Sequence, residues 1–97
     1  MTVGDVIIGH IIVTSAGSMN IKPSGTTTWA IQNIYIPDGV SCELYRTDGS
    51  NDLLLYSITN SIQFAQPIHA TSSVYFKVKN VSASSSYMGY DGRVTTV

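Results

Sequence analysis

The feature that most constrains the fold is a series of short runs of β-branched and aromatic residues, with no helical period between them. Gly, Pro, Asp, Asn and Ser separate these runs, which is typical of strands joined by turns. We predict strands at about residues 4–14, 17–22, 27–36, 40–47, 52–58, 61–65, 73–80, 85–90 and 92–96. Many short, evenly spaced strands are typical of sandwiches and barrels. The sequence therefore predicts an all-β fold, an antiparallel β-sandwich resembling a jelly roll.

The length of the chain fits one domain. Its 97 residues match the lower part of the usual domain size range. We therefore predict a single β-sandwich domain over residues 1–97, in which residues 1–14 form an N-terminal strand or an arm used in assembly.

Alternation along the strands predicts which side chains face the core. Val40, Cys42 and Leu44 share one parity, so Cys42 is predicted to be a small buried side chain and not a reactive thiol. In the run 74–78, Val74, Phe76 and Val78 likewise share one face.

The parity changes within the strand that begins near Trp29. Trp29 and Ile31 are in phase with each other, but Ile34 and Ile36 have the opposite parity. One extra residue near Gln32-Asn33 would place all four side chains on the same side, so we predict a β-bulge there.

The dipeptide Asp-Gly occurs three times, at residues 38–39, 48–49 and 91–92. Glycine accepts a positive φ and Asp bonds to its own turn, so this pair favours tight hairpins. The segment from Leu44 to Leu55 is the clearest predicted hairpin.

The N-terminal strand is apolar on both faces. Val6, Ile8 and Ile12 share one face with His10, while Ile7, Ile11 and Val13 share the other with Gly9. A strand in a small two-layer domain normally buries one face, so this strand either lies centrally or is covered by another chain. Because an uncovered strand of this kind invites aggregation, we predict an assembly interface formed by Val6, Ile7, Ile8, Ile11, Ile12 and Val13.

Residues that carry out catalysis or bind metal are sparse, so we predict no enzyme, no cofactor and no metal site. His10 lies in an apolar strand, which favours a hydrogen-bonded structural role, and His69 has no acidic residue nearby in sequence. The loop from Asp48 to Asp52 offers carboxylates but lacks the spacing and the distal Glu of a calcium loop.

Charge and the length of the apolar run argue against two classes of partner, nucleic acid and membrane. Charged residues make up 11% of the chain, against about 25% in typical proteins. Nucleic-acid binding requires several clustered cations, and the nearest approach is the pair Lys77 and Lys79. The apolar run 6–13 is too short to cross a membrane. A surface with few charges suits packed assemblies.

Carbohydrate binding is the alternative that the aromatic residues leave open. Tyr45 and Tyr75 are predicted on the solvent-exposed faces of their strands, where aromatic rings can stack on sugars. Tyrosine is also enriched at protein–protein interfaces, so these exposed tyrosines are compatible with sugar binding or with a protein contact.

The order of strand and turn motifs resembles a known group of proteins. A Trp-led strand at 29–39 precedes Glu43-Leu44-Tyr45-Arg46-Thr47-Asp48-Gly49, then the strand 74–82, then Tyr87-Met88-Gly89-Tyr90-Asp91-Gly92. Over about residues 25–96 this order of strand and turn motifs is similar to that of capsid decoration (cement) proteins and other small structural proteins of tailed bacteriophages. The apolar N-terminal segment lies outside the region of resemblance.

The resemblance implies a virion structural protein that binds and stabilises the assembled coat-protein shell. It implies a jelly-roll or sandwich subunit, commonly a homotrimer, whose partners are itself and the major capsid protein. It would lie on the capsid surface after assembly in the host cytoplasm. The alternatives are a carbohydrate- or receptor-binding module of a phage tail or fibre, or a tail or baseplate component.

Overall fold

The computed structural model describes residues 2–97, so of the predicted domain only Met1 lies outside the described residues. Eight strands form the fold: β1 (Val6–Val13), β2 (Ser18–Ile21), β3 (Thr28–Tyr35), β4 (Cys42–Thr47), β5 (Asp52–Ile58), β6 (Ile62–Ala70), β7 (Tyr75–Asn80) and β8 (Ser86–Thr96). Within residues 2–97, no helix is long and apolar enough to cross a membrane.

The strands form two four-stranded sheets, and each pair of neighbours within a sheet is antiparallel. One sheet has the order β1-β8-β3-β6 and the other has the order β2-β7-β4-β5. Most consecutive strands therefore alternate between the sheets, which is the eight-stranded arrangement of a jelly roll. The predicted fold class is confirmed.

The core lies between the two sheets and is filled by aliphatic side chains. Its most deeply buried large residues include Met19, Ile21, Ile31, Ile34, Leu44, Val78, Met88 and Val94. Cys42 and Phe76 are also buried, as their alternation predicts. Burial raises the pKa of the Cys42 thiol, so this side chain is an unreactive part of the core.

The predicted bulge in β3 is confirmed. The pairing of β3 with β8 shifts between Ile31 and Asn33, so Gln32 is the extra residue. As a result Trp29, Ile31 and Ile34 all reach the core despite their mixed parity, as does Ile36 just beyond the strand.

Of the three Asp-Gly pairs, one forms the predicted hairpin, one forms a turn that is not a hairpin, and one forms no turn. Asp48-Gly49 joins β4 to β5 in a hairpin, as predicted. Asp38-Gly39 lies between β3 and β4, which belong to different sheets, so the chain crosses the sandwich there. Asp91-Gly92 lies inside β8, and the predicted strands 85–90 and 92–96 are one strand of 11 residues.

The predicted end of a strand before Pro67 is also wrong. β6 continues through Pro67 to Ala70, although its pairing with β3 is irregular between Gln63 and Ile68. Proline fits here because β6 is an edge strand, where an N–H facing away from the sheet has no partner to lose.

Candidate interaction surface

Strand β1 lies at an edge of its sheet, paired with β8 alone. Of the two predicted positions, central or covered by another chain, the central one is therefore wrong. Ile7 and Val13 are buried in the core, whereas Val6, Ile8 and Ile12 are 56%, 75% and 54% exposed. Two residues of the predicted assembly interface thus belong to the core of this chain, and its other four residues, including Ile11, are exposed.

The exposed residues of β1 form part of a wider apolar surface on the outer side of the sheet. Ile12 lies opposite Tyr87 of β8, and Gly89 of β8 lies between His10 and Tyr35. We call this surface the β1–β8 face and define it by Val6, Ile8, His10, Ile12, Tyr35 and Tyr87. The imidazole of His10 contacts Tyr87, with ring centroids 5.0 Å apart. His10 is exposed, and its hydrogen-bonded structural role stays a prediction.

A groove of about 450 Å³ crosses this face above Gly89. Its walls include Ile8, His10, Tyr35 and Tyr87. A Cβ on Gly89 would lie 2.7 Å from the carbonyl oxygen of Gly9, which is too close for any other residue. The glycine therefore allows the close approach of β1 and β8 and keeps the floor of the groove flat.

Asp91 organises one end of the groove. Its Oδ1 accepts a hydrogen bond from Asn33 Nδ2 at 2.8 Å, and its Oδ2 accepts one from the Tyr35 hydroxyl at 2.5 Å. The bond to the carboxylate raises the pKa of Tyr35, because it favours the protonated phenol. Asp91 thus fixes the orientation of an exposed aromatic ring, and both of its oxygens are occupied.

The backbone of β1 presents unpaired groups at the sheet edge. Val94 N–H donates to the Asp5 carbonyl at 3.0 Å, so this carbonyl points toward β8 and the N–H of the next residue, Val6, points away from it. In antiparallel pairing this direction alternates. Ile7, Gly9, Ile11 and Val13 therefore bond to β8, whereas Val6, Ile8, His10 and Ile12 direct their N–H and C=O groups outward.

The other three sheet edges carry features that discourage pairing with another chain. β2 has only four residues and is followed by Lys22 and Pro23. β5 begins with Asp52, and its ladder with β4 is interrupted between Leu44 and Tyr45. β6 contains Pro67. Short edges, charges, bulges and proline all protect against edge pairing.

By contrast, β1 has none of these protective features. Its eight residues include no Pro, Lys, Arg, Asp or Glu, and its register with β8 is uninterrupted from Val6 to Val13. Among the described residues it is the unprotected edge of the sandwich.

The predicted contact aromatics Tyr45 and Tyr75 lie in the other sheet and are half-buried. Lys77 Nζ lies 5.5 Å from the ring centroid of Tyr45, and Lys22 Nζ lies 4.9 Å from that of Tyr75. The more exposed aromatics are Tyr35, Tyr56 and Tyr87, for which the sequence predicted no solvent-facing side. Tyr87 lies beside Ile12 because β8 pairs with β1, a contact between distant parts of the chain.

Backbone N–H groups of the loop 48–52 bind the carboxylate of Asp48. Asp48 Oδ1 accepts hydrogen bonds from the backbone N–H groups of Asn51 at 2.7 Å and Ser50 at 2.9 Å. These bonds hold the pKa of Asp48 below its usual value of 3.8. In residues 2–97 no group of three or more His, Cys, Asp or Glu side chains is placed to hold a metal ion.

We expect the Asp48→Asn variant to be less stable than the wild type at neutral pH, because the amide is a weaker acceptor for these two N–H groups. A lowered folded pKa stabilises the protein above the unfolded pKa and loses that effect as pH falls through the folded pKa. The difference in melting temperature should therefore be present above pH 3.8 and shrink below it. Asp38→Asn, at an exposed residue of another loop, is the control; a difference that is constant with pH would contradict this role.

Comparisons with known proteins concern the fold. No family model matches the chain, and no curated protein matches its sequence. Among solved structures, it is similar to the nucleoplasmin-like N-terminal domain of Drosophila FKBP39, with a TM-score of 0.59 and 7% identity. The match covers 95% of this chain and 91% of that chain. At this identity the likeness shows a shared β-rich fold over nearly the whole chain.

Proposed function

We propose that the protein is a non-catalytic structural component of a virion, a capsid decoration protein that binds and stabilises the assembled coat-protein shell. Its proposed partners are copies of itself and the major capsid protein, and its proposed place is the capsid surface after assembly in the host cytoplasm. The resemblance implies three copies, whereas the geometry of β1 favours two. The mass of the protein in solution distinguishes these forms.

The observation that carries the proposal is the apolar β1–β8 face. Val6, Ile8 and Ile12 are each more than half exposed and share one face of β1 with His10, and β1 contains no Lys, Arg, Asp or Glu. A contiguous exposed apolar patch on a small domain favours a protein contact. The low charge content of the whole chain, 11%, acts in the same direction, because it weakens repulsion between neighbouring copies.

Such a surface would stabilise a shell by binding alone, without catalysing a reaction. A protein that binds the assembled lattice better than free coat subunits shifts the equilibrium toward the lattice. Joining several copies repeats each weak contact, so the assembled unit binds more tightly than one subunit does. The jelly-roll topology is compatible with this role, since the fold occurs in viral capsid domains and also in lectins.

Co-sedimentation with shells assembled from the coat protein of the virus that encodes this chain tests the proposal. We expect the chain to sediment with assembled shells and to bind free coat subunits much more weakly. The double variant Ile8→Ser/Ile12→Ser should lose binding. The matched control Leu53→Ser/Leu54→Ser, which changes two exposed leucines of the other sheet, should retain it. Failure of the wild-type chain to bind shells, or equal loss in both variants, would overturn the proposal.

Carbohydrate binding on a phage tail or fibre is the second candidate, and the groove above Gly89 is what favours it. Tyr35 and Tyr87 are exposed at its walls, and Asp91 fixes the ring of Tyr35. On a glycan array, binding that is lost in Tyr35→Ala and Tyr87→Ala but retained in Tyr45→Ala and Tyr75→Ala would support this function. If the array shows no binding, carbohydrate binding is overturned and the structural role is the remaining candidate.

A further inference from the structure

We propose that two copies of this chain pair along β1, in antiparallel orientation about a two-fold axis, to form one continuous eight-stranded sheet. This inference rests on the self-association in the proposed function and specifies its partner and geometry. It follows from the free backbone groups of β1, the protection of the other three edges, and the restrictions that symmetry places on the register.

Symmetry admits few registers. A two-fold axis that pairs antiparallel strands must stand perpendicular to the sheet, so each outward side chain lies opposite another outward side chain. The free N–H and C=O groups of β1 belong to the outward residues Val6, Ile8, His10 and Ile12, which therefore meet one another across the axis. An edge that carries its free groups on alternate residues is in this way complementary to itself.

One register uses all four of these residues. With the axis at Gly9, Val6 lies opposite Ile12 of the partner subunit, and Ile8 lies opposite His10 of the partner subunit. Each of the four pairs exchanges two backbone hydrogen bonds. The next register, with the axis at His10, would place Val6 opposite Thr14 of the partner subunit. The Thr14 carbonyl already accepts a bond from Gly17 N–H at 2.8 Å, so that register is poorer.

The Gly9 register also accounts for two local features. Residues that face each other without exchanging hydrogen bonds have closely spaced Cα atoms, about 4.5 Å apart, and glycine on the axis suits this approach. Ile11 is 45% exposed although it lies on the core side of β1. In the pair it lies opposite Ile7 of the partner subunit, where its side chain gains an apolar neighbour.

The number of backbone hydrogen bonds across the contact is typical of protein interfaces. Eight backbone hydrogen bonds fall within the range of about 10 ± 5 direct bonds found in typical interfaces. The outward side chains of both copies then join into one largely apolar stripe, which Tyr87, Asp91 and Arg93 of β8 flank on each side. The pair thereby doubles the β1–β8 face that the proposed function directs at the coat lattice.

Sedimentation velocity of the full chain provides the first test. We expect a wild-type mass of twice 10.4 kDa and a monomer for Ile8→Pro. The N–H of Ile8 points away from β8, so proline there removes no bond within the monomer but blocks the partner. Ile8→Thr retains the N–H and should remain paired. Circular dichroism and the fluorescence of Trp29 establish that each variant is folded.

Cysteine trapping provides a second test that does not depend on proline. In the Gly9 register, residue 8 of one copy faces residue 10 of the other, whereas equivalent residues are farther apart. Equal amounts of Ile8→Cys and His10→Cys protein should form a disulfide-linked pair when mixed, and each variant alone should cross-link much more slowly. Mixing without faster cross-linking would overturn the register.

The outcomes separate this inference from the proposed function. A trimeric mass, or an Ile8→Pro variant that still pairs, overturns the edge pairing while leaving the decoration role intact. A wild-type monomer at all concentrations overturns both the pairing and the self-association in the proposed function. A wild-type chain that pairs but does not bind shells would overturn the function alone.

Discussion

Replacing Gly92 with alanine is expected to destabilise the fold by about 3 kcal/mol or more, because overpacking against backbone cannot relax through a side-chain rotation. Gly92 is buried in β8 between Ile7 of β1 and Ile31 of β3. A Cβ there would lie 2.1 Å from the carbonyl oxygen of Ala30 and 2.9 Å from the Cα of Ile31. The two strands would have to separate beside the bulge at Gln32.

Urea unfolding followed by the fluorescence of Trp29 measures this effect. Gly25→Asn is the matched control, since Gly25 has a φ of +59° and open space around its Cα. Asparagine tolerates that conformation better than other residues do, so the control should lose little. A Gly92→Ala variant as stable as the wild type would mean that β3 and β8 are farther apart than the structure has them.

Removal of the Asn80 side chain is the second substitution with a large expected effect. Asn80 is fully buried, and its Nδ2 donates to the carbonyls of Val13 at 3.0 Å and Ser84 at 2.9 Å. Its Oδ1 accepts from Ser82 N–H at 2.9 Å and from the Ser82 hydroxyl. We expect Asn80→Ala to cost roughly 2–4 kcal/mol, because buried backbone groups lose their partners.

The same network fixes the end of β1, since Val13 is the last residue of that strand. We therefore expect Asn80→Ala to weaken self-association as well as stability. Asn80→Asp should be at least as destabilising at neutral pH, because a carboxylate cannot donate to the two carbonyls. Asn20→Ala, at an exposed asparagine of β2, is the control and should change the free energy of unfolding little. Equal effects of Asn20→Ala and Asn80→Ala would contradict the role of the network.

The sequence predicted those parts of the fold that depend on local pattern. The change of parity between Ile31 and Ile34 required a bulge, and the alternation around Cys42 required a buried face. The 48–49 turn joins strands of one sheet, so its turn chemistry was sufficient to predict a hairpin. In each case the deciding contacts lie within a few residues of chain or within one strand pair.

The errors arise where distant contacts override local chemistry. Asp91 does not turn the chain, because Asn33 and Tyr35 of β3 hold its carboxylate across the sheet. Gly92 is needed for the close approach of β3 and not for a turn. Pro67 stays within a strand because β6 is an edge. None of these contacts can be found from propensity or turn signals.

The candidate surface was partly predictable. Two apolar faces on β1 predicted that β1 is either central or covered by another chain, and its cover by another chain stays a prediction. Which residues belong to the core depends on which face the second sheet covers, so Ile7 and Val13 could not be separated from Ile8 and Ile12 beforehand. The groove was missed, since it requires Tyr35 and Tyr87 from different strands to lie around Gly89.

Hydrogen exchange of the β1 amides, measured by NMR at high and low protein concentration, tests the central claim most directly. Ile7, Ile11 and Val13 bond to β8 within one chain and serve as internal references that should be protected at both concentrations. The amides of Val6, Ile8, His10 and Ile12 should be protected at high concentration and exchange rapidly on dilution. Rapid exchange of these four at every concentration, in a protein that is shown to be self-associated, would contradict pairing along β1.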